Sequence, residues 1–223
     1  MNYRSCLLVA IITLSGVARA TADDAEDQAE AFIKKRGGKV VRDETKPGKP
    51  IVQVDLSFIG SKDDLKQLAQ FKKLSILNLG RTHVTGEGFK ELANLKELTH
   101  LFLNLTRVTD EGLVEIAEIK SLTYLDLWRS LVTDKGLKSA ATLSNLTYLN
   151  LFSTRITDEG LKELTKLKKL KHLNLWDTKV TDAGLKEIAK ITSLKHIDLA
   201  CTSVSGAGLK EIGKLTNLTY LSL

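Results

Sequence analysis

From Leu74 onward, apolar residues return on a fixed schedule. Units open at Leu74, Leu98, Leu122, Leu146, Leu170, Leu194 and Leu218, 24 residues apart. The unit from Leu170 reads LKHLNLWDTKVTDAGLKEIAKITS, and the one from Leu146 reads LTYLNLFSTRITDEGLKELTKLKK. Each unit changes period halfway. Its opening L-x-x-L-x-L alternates with period two and predicts a short strand, whereas Leu185, Ile188 and Ile191 in the copy from Leu170 fall at helical spacing. Between them stands Val180-Thr181-Asp182-Ala183-Gly184. Thr181 is expected to cap the helix, and Asp182 suits the positive end of its dipole. Gly184, lacking a Cβ, is expected to let the helix start approach the strand layer. The same Thr-Asp-x-Gly recurs at 109–112, 133–136 and 157–160, while Gly86 and Gly206 replace the aspartate in the copies from Leu74 and Leu194.

One strand and one helix per unit, stacked six times, predict an α/β fold in which a parallel sheet is covered by helices. Strands stack about 4.8 Å apart and helices need about 10 Å, so the array must curve with its strands on the inside. Units of the form L-x-x-L-x-L-x-x-T-x-V/I-T-D-x-G-L resemble the leucine-rich repeats of secreted planctomycete-type proteins. They are also similar to the repeats of F-box substrate receptors. The segments Gly37-Gly38-Lys39-Val40-Val41-Arg42-Asp43 and Pro47-Gly48-Lys49-Pro50 resemble the lead-in of the planctomycete group. The resemblance implies a leucine-rich-repeat solenoid, a right-handed horseshoe with the sheet on its concave face and helices on its convex face. It also implies an interaction protein with no shared catalytic motif.

The start of the chain has a different pattern. Arg4 precedes an almost uninterrupted apolar run from Ser5 to Leu14, and Ala18-Arg19-Ala20 follows. That order predicts a signal peptide over residues 1–20 and a secreted, periplasmic or otherwise exported protein. That run is too short for a membrane span, and no later stretch approaches spanning length. The leader argues against a ubiquitin-ligase-like receptor, and residues 21–50 hold no F-box-like module. That segment predicts an N-terminal cap: an amphipathic helix from Asp24 to Lys35, then a strand at Lys39–Asp43. A turn at Pro47-Gly48 joins this strand to another at Ile51–Leu56. Residues 51–223 are expected to form the repeat domain, comprising a shortened first unit at 51–73, six full units and a terminal strand. That strand, Leu218 to Leu223, is expected to be part of a longer array or to self-associate through its open edge.

Composition narrows the function. Without residues 1–20 the net charge falls from +6 to +4, a mild excess that does not point to nucleic acid. Cys6 leaves with the leader, so Cys201 has no intramolecular partner. Residues between the strand leucines should face the concave surface. Position three carries His100, Tyr124, Tyr148, His172, His196 and Tyr220. Position five carries Asp126, Asn150, Asn174 and Asp198, and position seven carries Trp128, Phe152 and Trp176. Exposed aromatics concentrate in binding hot spots, so these lanes are the candidate partner-binding site. A protein partner suits the architecture best. The residues leave open a carbohydrate, which would stack on the rings beside Asn and Asp, or a metal held by His172 and His196 near Asp198, Asp177 and Cys201. No cofactor is expected. No H-E-x-x-H, C-x-x-C, G-x-S-x-G or phosphate loop occurs, and a shallow wet groove suits catalysis poorly, so the chain is expected to be a non-catalytic scaffold. A lysine ridge on the helices (Lys162, Lys166, Lys186, Lys190, Lys210, Lys214) has glutamates beside it and is expected to be a solvated face.

Overall fold

The computed structural model describes residues 22–223, so the leader expected over residues 1–20 lies outside the described residues. Helix α1 (Ala22–Lys35) precedes strands β1 (Lys39–Arg42) and β2 (Ile51–Asp55), which pair antiparallel. From β2 onward every pairing is parallel and in chain order: β3 (Ile76–Asn78), β4 (His100–Phe102), β5 (Tyr124–Asp126), β6 (Tyr148–Asn150), β7 (His172–Asn174), β8 (His196–Asp198) and β9 (Tyr220–Ser222). The register never slips: Leu77, Leu101, Leu125, Leu149, Leu173, Ile197 and Leu221 lie side by side. This is the open α/β solenoid that the repeats predict.

Between strands run a short helix α2 (Leu65–Leu68), α3 (Asp110–Ile116), α4 (Asp134–Ala140), α5 (Asp158–Leu164), α6 (Asp182–Ile188) and α7 (Gly206–Ile212). α3 to α7 are each barely two turns and α2 about one, and Ile191, expected on the helix, lies beyond the end of α6. Such short helices are unstable alone. They are held by leucines at 0% exposure, such as Leu137, Leu161 and Leu185, packed against the sheet. The repeat from Leu74 forms a 3-10 turn at Phe89–Leu92 instead, where Gly86 and Gly88 take φ of +99° and +89°.

α1 covers the first-repeat end of this core. Ala29 and Ile33 are fully buried, and Glu26 Oε1 accepts the Ile51 N–H at 2.8 Å. Arg36 Nε lies 3.2 Å from Oδ1 of Asp64, a fully buried carboxylate whose other oxygen caps Ser61. At the other end Tyr220, Leu221 and Leu223 are exposed.

The Thr-Asp-x-Gly motif works between repeats. Thr133, Thr157 and Thr181 cap their helices as expected. Asp110 reaches into the following repeat, accepting from Thr133 N (2.7 Å), Thr133 Oγ1 (2.6 Å) and Gly136 N (3.0 Å). Asp134, Asp158 and Asp182 hold Thr157, Thr181 and Ser205 in the same way. The motif glycine is therefore not there to bring the helix to the strand layer. A Cβ on Gly136 would stand 2.5 Å from Asp110 Oδ1, and Gly160, Gly184 and Gly208 face Asp134, Asp158 and Asp182 alike. Where Gly86 replaces the aspartate, the Thr85 carbonyl accepts the Thr109 N–H at 3.1 Å instead.

Candidate concave-face binding site

The sheet side facing away from the helices carries two rows of rings. Position three is half-buried on β3 to β8 and exposed on β9, and from His100 onward its rings meet from strand to strand, tilted at Tyr148–His172 and stacked elsewhere. Tyr124 and Tyr148 lie 4.1 Å apart and nearly parallel at 8°, and His172 and His196 lie 4.4 Å apart at 17°. His100 stacks on Tyr124, and Tyr220 on His196. Position seven forms the second row: Phe152 sits 5.3 Å from Trp128 and 5.2 Å from Trp176. Trp176 is 39% exposed, whereas Trp128 and Phe152 are half-buried. In-register parallel pairing puts like positions about 4.8 Å apart, close to ring-stacking distance, so both rows follow from the repeat itself.

Position five has a backbone task. Oδ1 of Asp126, Asn150, Asn174 and Asp198 accepts the N–H of Trp128, Phe152, Trp176 and Ala200 at 2.9–3.1 Å. These Asx turns end each strand. The four polar residues read as contact groups thus fix the backbone from which the aromatic row projects. Asp126 and Asn150 are buried at 8% exposure. Burial raises the Asp126 pKa above its ordinary value, against hydrogen bonds from Trp128 N–H and Asn150 that lower it. Burial likewise raises the phenol pKa values of Tyr124 and Tyr148, so both remain protonated. His172 is lowered by burial and by neighbouring His196.

Two features of this edge escaped the sequence pattern. Position eight is left-handed in every repeat from Phe58 through Arg81, Leu105, Arg129, Ser153 and Asp177 to Cys201, with φ of +51° to +69°. That turn aims each N–H from Phe58 to Asp177 at the position-seven carbonyl of the next repeat, as in Leu105 N to Trp128 O at 2.6 Å. Position nine donates back to position six, as Thr106 Oγ1 does to Leu103 O at 2.6 Å and Thr178 Oγ1 to Leu175 O at 2.6 Å. Ser130 breaks the series, because its buried hydroxyl has no partner.

A hollow of about 170 Å³ is lined by Tyr148, His172, His196 and Tyr220 together with Asn174 and Asp198. No group of three or more His, Cys, Asp or Glu side chains gathers in metal-binding geometry among the described residues, and Asp177 is engaged by Ser153 Oγ at 2.7 Å. No helix among the described residues is long and apolar enough to cross a membrane. On the helical side, Lys162 and, just past the helix ends, Lys166, Lys190 and Lys214 pair with Glu159, Glu163, Glu187 and Glu211.

The model of a leucine-rich repeat region matches residues 56–223. No curated protein matches the sequence. Among solved structures, an internalin (inlF) from Listeria monocytogenes is similar with TM-score 0.54 and 23% identity, over 70% of this chain and 50% of that one. An internalin C2 from the same organism gives TM-score 0.58 at 19% identity, over 94% and 99% of the two chains. A leucine-rich-repeat protein of Leptospira interrogans gives 0.52 at 26% identity, over 71% and 45%. The chain thus spans about half the length of the first internalin and of the Leptospira protein. Proteins with this fold are generally protein-interaction scaffolds and typically not enzymes. The family match and the solenoid of 24-residue units agree: the chain belongs to the leucine-rich-repeat family.

Proposed function

We propose that this protein is an exported, non-catalytic scaffold that binds a protein partner on its concave face, centred on Trp128, Phe152 and Trp176. The observation that carries this reading is the second ring row, stacked at 5.2–5.3 Å on three consecutive strands. The leucine core does not use these rings, and Trp176 stays 39% exposed. Tyr124, Tyr148, His172 and His196 flank them, and the polar groups of Asp126, Asn150, Asn174 and Asp198 hold the strand ends rigid beneath. A rigid, preformed surface loses little entropy on binding.

The test is Trp128→Ala with Trp176→Ala, assayed for capture of partners from the exported fraction and for melting temperature. Lost capture with a nearly unchanged melt supports the reading. Unchanged capture moves the site to another face, and a collapsed melt makes the rings structural. Export rests on the leader at residues 1–20. N-terminal sequencing of exported material should begin at Thr21, and an intact Met1 would refute it.

A further inference from the structure

Every arginine between residues 51 and 223 falls at position eight or ten of its repeat: Arg81, Arg107, Arg129 and Arg155. Lys179 takes position ten in the next unit. Five consecutive repeats therefore each place one cation just past the end of the strand, and three of these, Arg129, Arg155 and Lys179, belong to the repeats that carry Trp128, Phe152 and Trp176 at position seven. All five are exposed. None pairs with a carboxylate among the described residues, and Arg81 lies over the Phe58 ring at 5.2 Å. The one acid at these two positions is Asp177, which Ser153 engages. Lys162, Lys166, Lys190 and Lys214 on the helical side, by contrast, each pair with a glutamate three residues earlier.

We infer that this edge takes an acidic protein segment, with its carboxylates on the arginine row and its apolar side chains on the tryptophan stripe. The inference rests on the concave-face reading above and adds the partner's charge. Guanidinium forks match carboxylates in bidentate geometry, and Arg and Trp are the residue types that dominate binding hot spots. A nucleic acid fits less well. Duplex DNA presents a charge about every 1.7 Å, against one cation per strand spacing here.

The test uses the exported chain and fluorescein-labelled poly-L-glutamate, followed by anisotropy at low and physiological salt. One variant carries Arg107→Gln, Arg129→Gln and Arg155→Gln. A control of equal net charge carries Lys166→Gln, Lys190→Gln and Lys214→Gln. The arginine variant should lose about tenfold or more in affinity and the control less than about twofold, with both melting like the parent. Equal losses would mean that only overall charge matters and would overturn the site. No loss in the arginine variant would overturn it too. Tighter binding of heparin or duplex DNA than of polyglutamate would overturn the protein assignment. Polyglutamate has no apolar groups to cover the stripe, so this inference fails on the probe, whereas the stripe reading fails on capture by the tryptophan variant.

Discussion

Replacing Gly136 by alanine isolates the contact that locks one repeat to the next. Its new Cβ would stand 2.5 Å from Asp110 Oδ1 and 3.0 Å from Val132 Cγ1. Val132 is fully buried and has nowhere to move, so the carboxylate must swing away. It then leaves Thr133 N, Thr133 Oγ1 and Gly136 N, bonded now at 2.7, 2.6 and 3.0 Å. Hydrogen bonds to a charged group contribute about 1.5–3 kcal/mol each at most, and Asp110 is only half-buried, so a total of about 2–4 kcal/mol is expected. For a domain of this size that lowers the melting temperature by roughly 5–15 °C. Asp110→Ala loses the same bonds and should fall by a similar amount. The double variant should be little worse than either single one, because one interaction cannot be lost twice. Gly206→Ala is the control. It has the same place in the repeat as Asp110, no carboxylate to offer and nothing within 4 Å of its Cβ, so it should be neutral or stabilise by up to about 1 kcal/mol. Thermal and urea melts read all four variants. A Gly136→Ala cost below about 0.5 kcal/mol, or additive losses in the double variant, would refute the aspartate lock.

Two other substitutions probe the site's frame. Ser130→Thr places at position nine the residue whose hydroxyl donates to position six in other repeats, and should raise the melting temperature by about 2–4 °C, read by calorimetry; a decrease would show that the methyl group does not fit. Asp126 has a folded pKa raised above its unfolded value, so its contribution is fully present below the unfolded pKa and is lost as pH rises through the folded pKa. Asp126→Asn keeps the acceptor for Trp128 N–H, as Asn150 and Asn174 do for their own repeats. It should therefore melt a few degrees above the parent at pH 7 and level with it at pH 3. Equal gains at both pH values would contradict the burial argument.

What the sequence made legible was whatever repeats in the burial pattern. Strand positions four and six, the helix leucines and the ring rows at positions three and seven all follow from period two changing to a helical period. The aspartate lock did not show, because Asp110 and Thr133 are 23 residues apart and belong to different units. A single copy explains Asp110 as a dipole partner and its glycine as a packing gap. The left-handed corner at position eight left no trace either. Arg81, Leu105, Ser153 and Asp177 hold it where glycine would have marked it, because the N–H it aims at the next repeat is worth the strain. The arginine edge was hidden by its alternation between positions eight and ten. The 3-10 turn after Gly88 was foreshadowed only by Gly86 in place of aspartate.

The chain has two tryptophans, Trp128 and Trp176, and both lie in the stripe, so intrinsic fluorescence reports on that surface alone. Acrylamide quenching of this emission, with and without a captured partner that itself lacks tryptophan, tests the central claim most directly. The account predicts a blue-shifted emission and clearly reduced quenching on binding, as Trp176 passes from exposed to covered. A bound partner that leaves both the emission maximum and the quenching unchanged would place the interface elsewhere and contradict it.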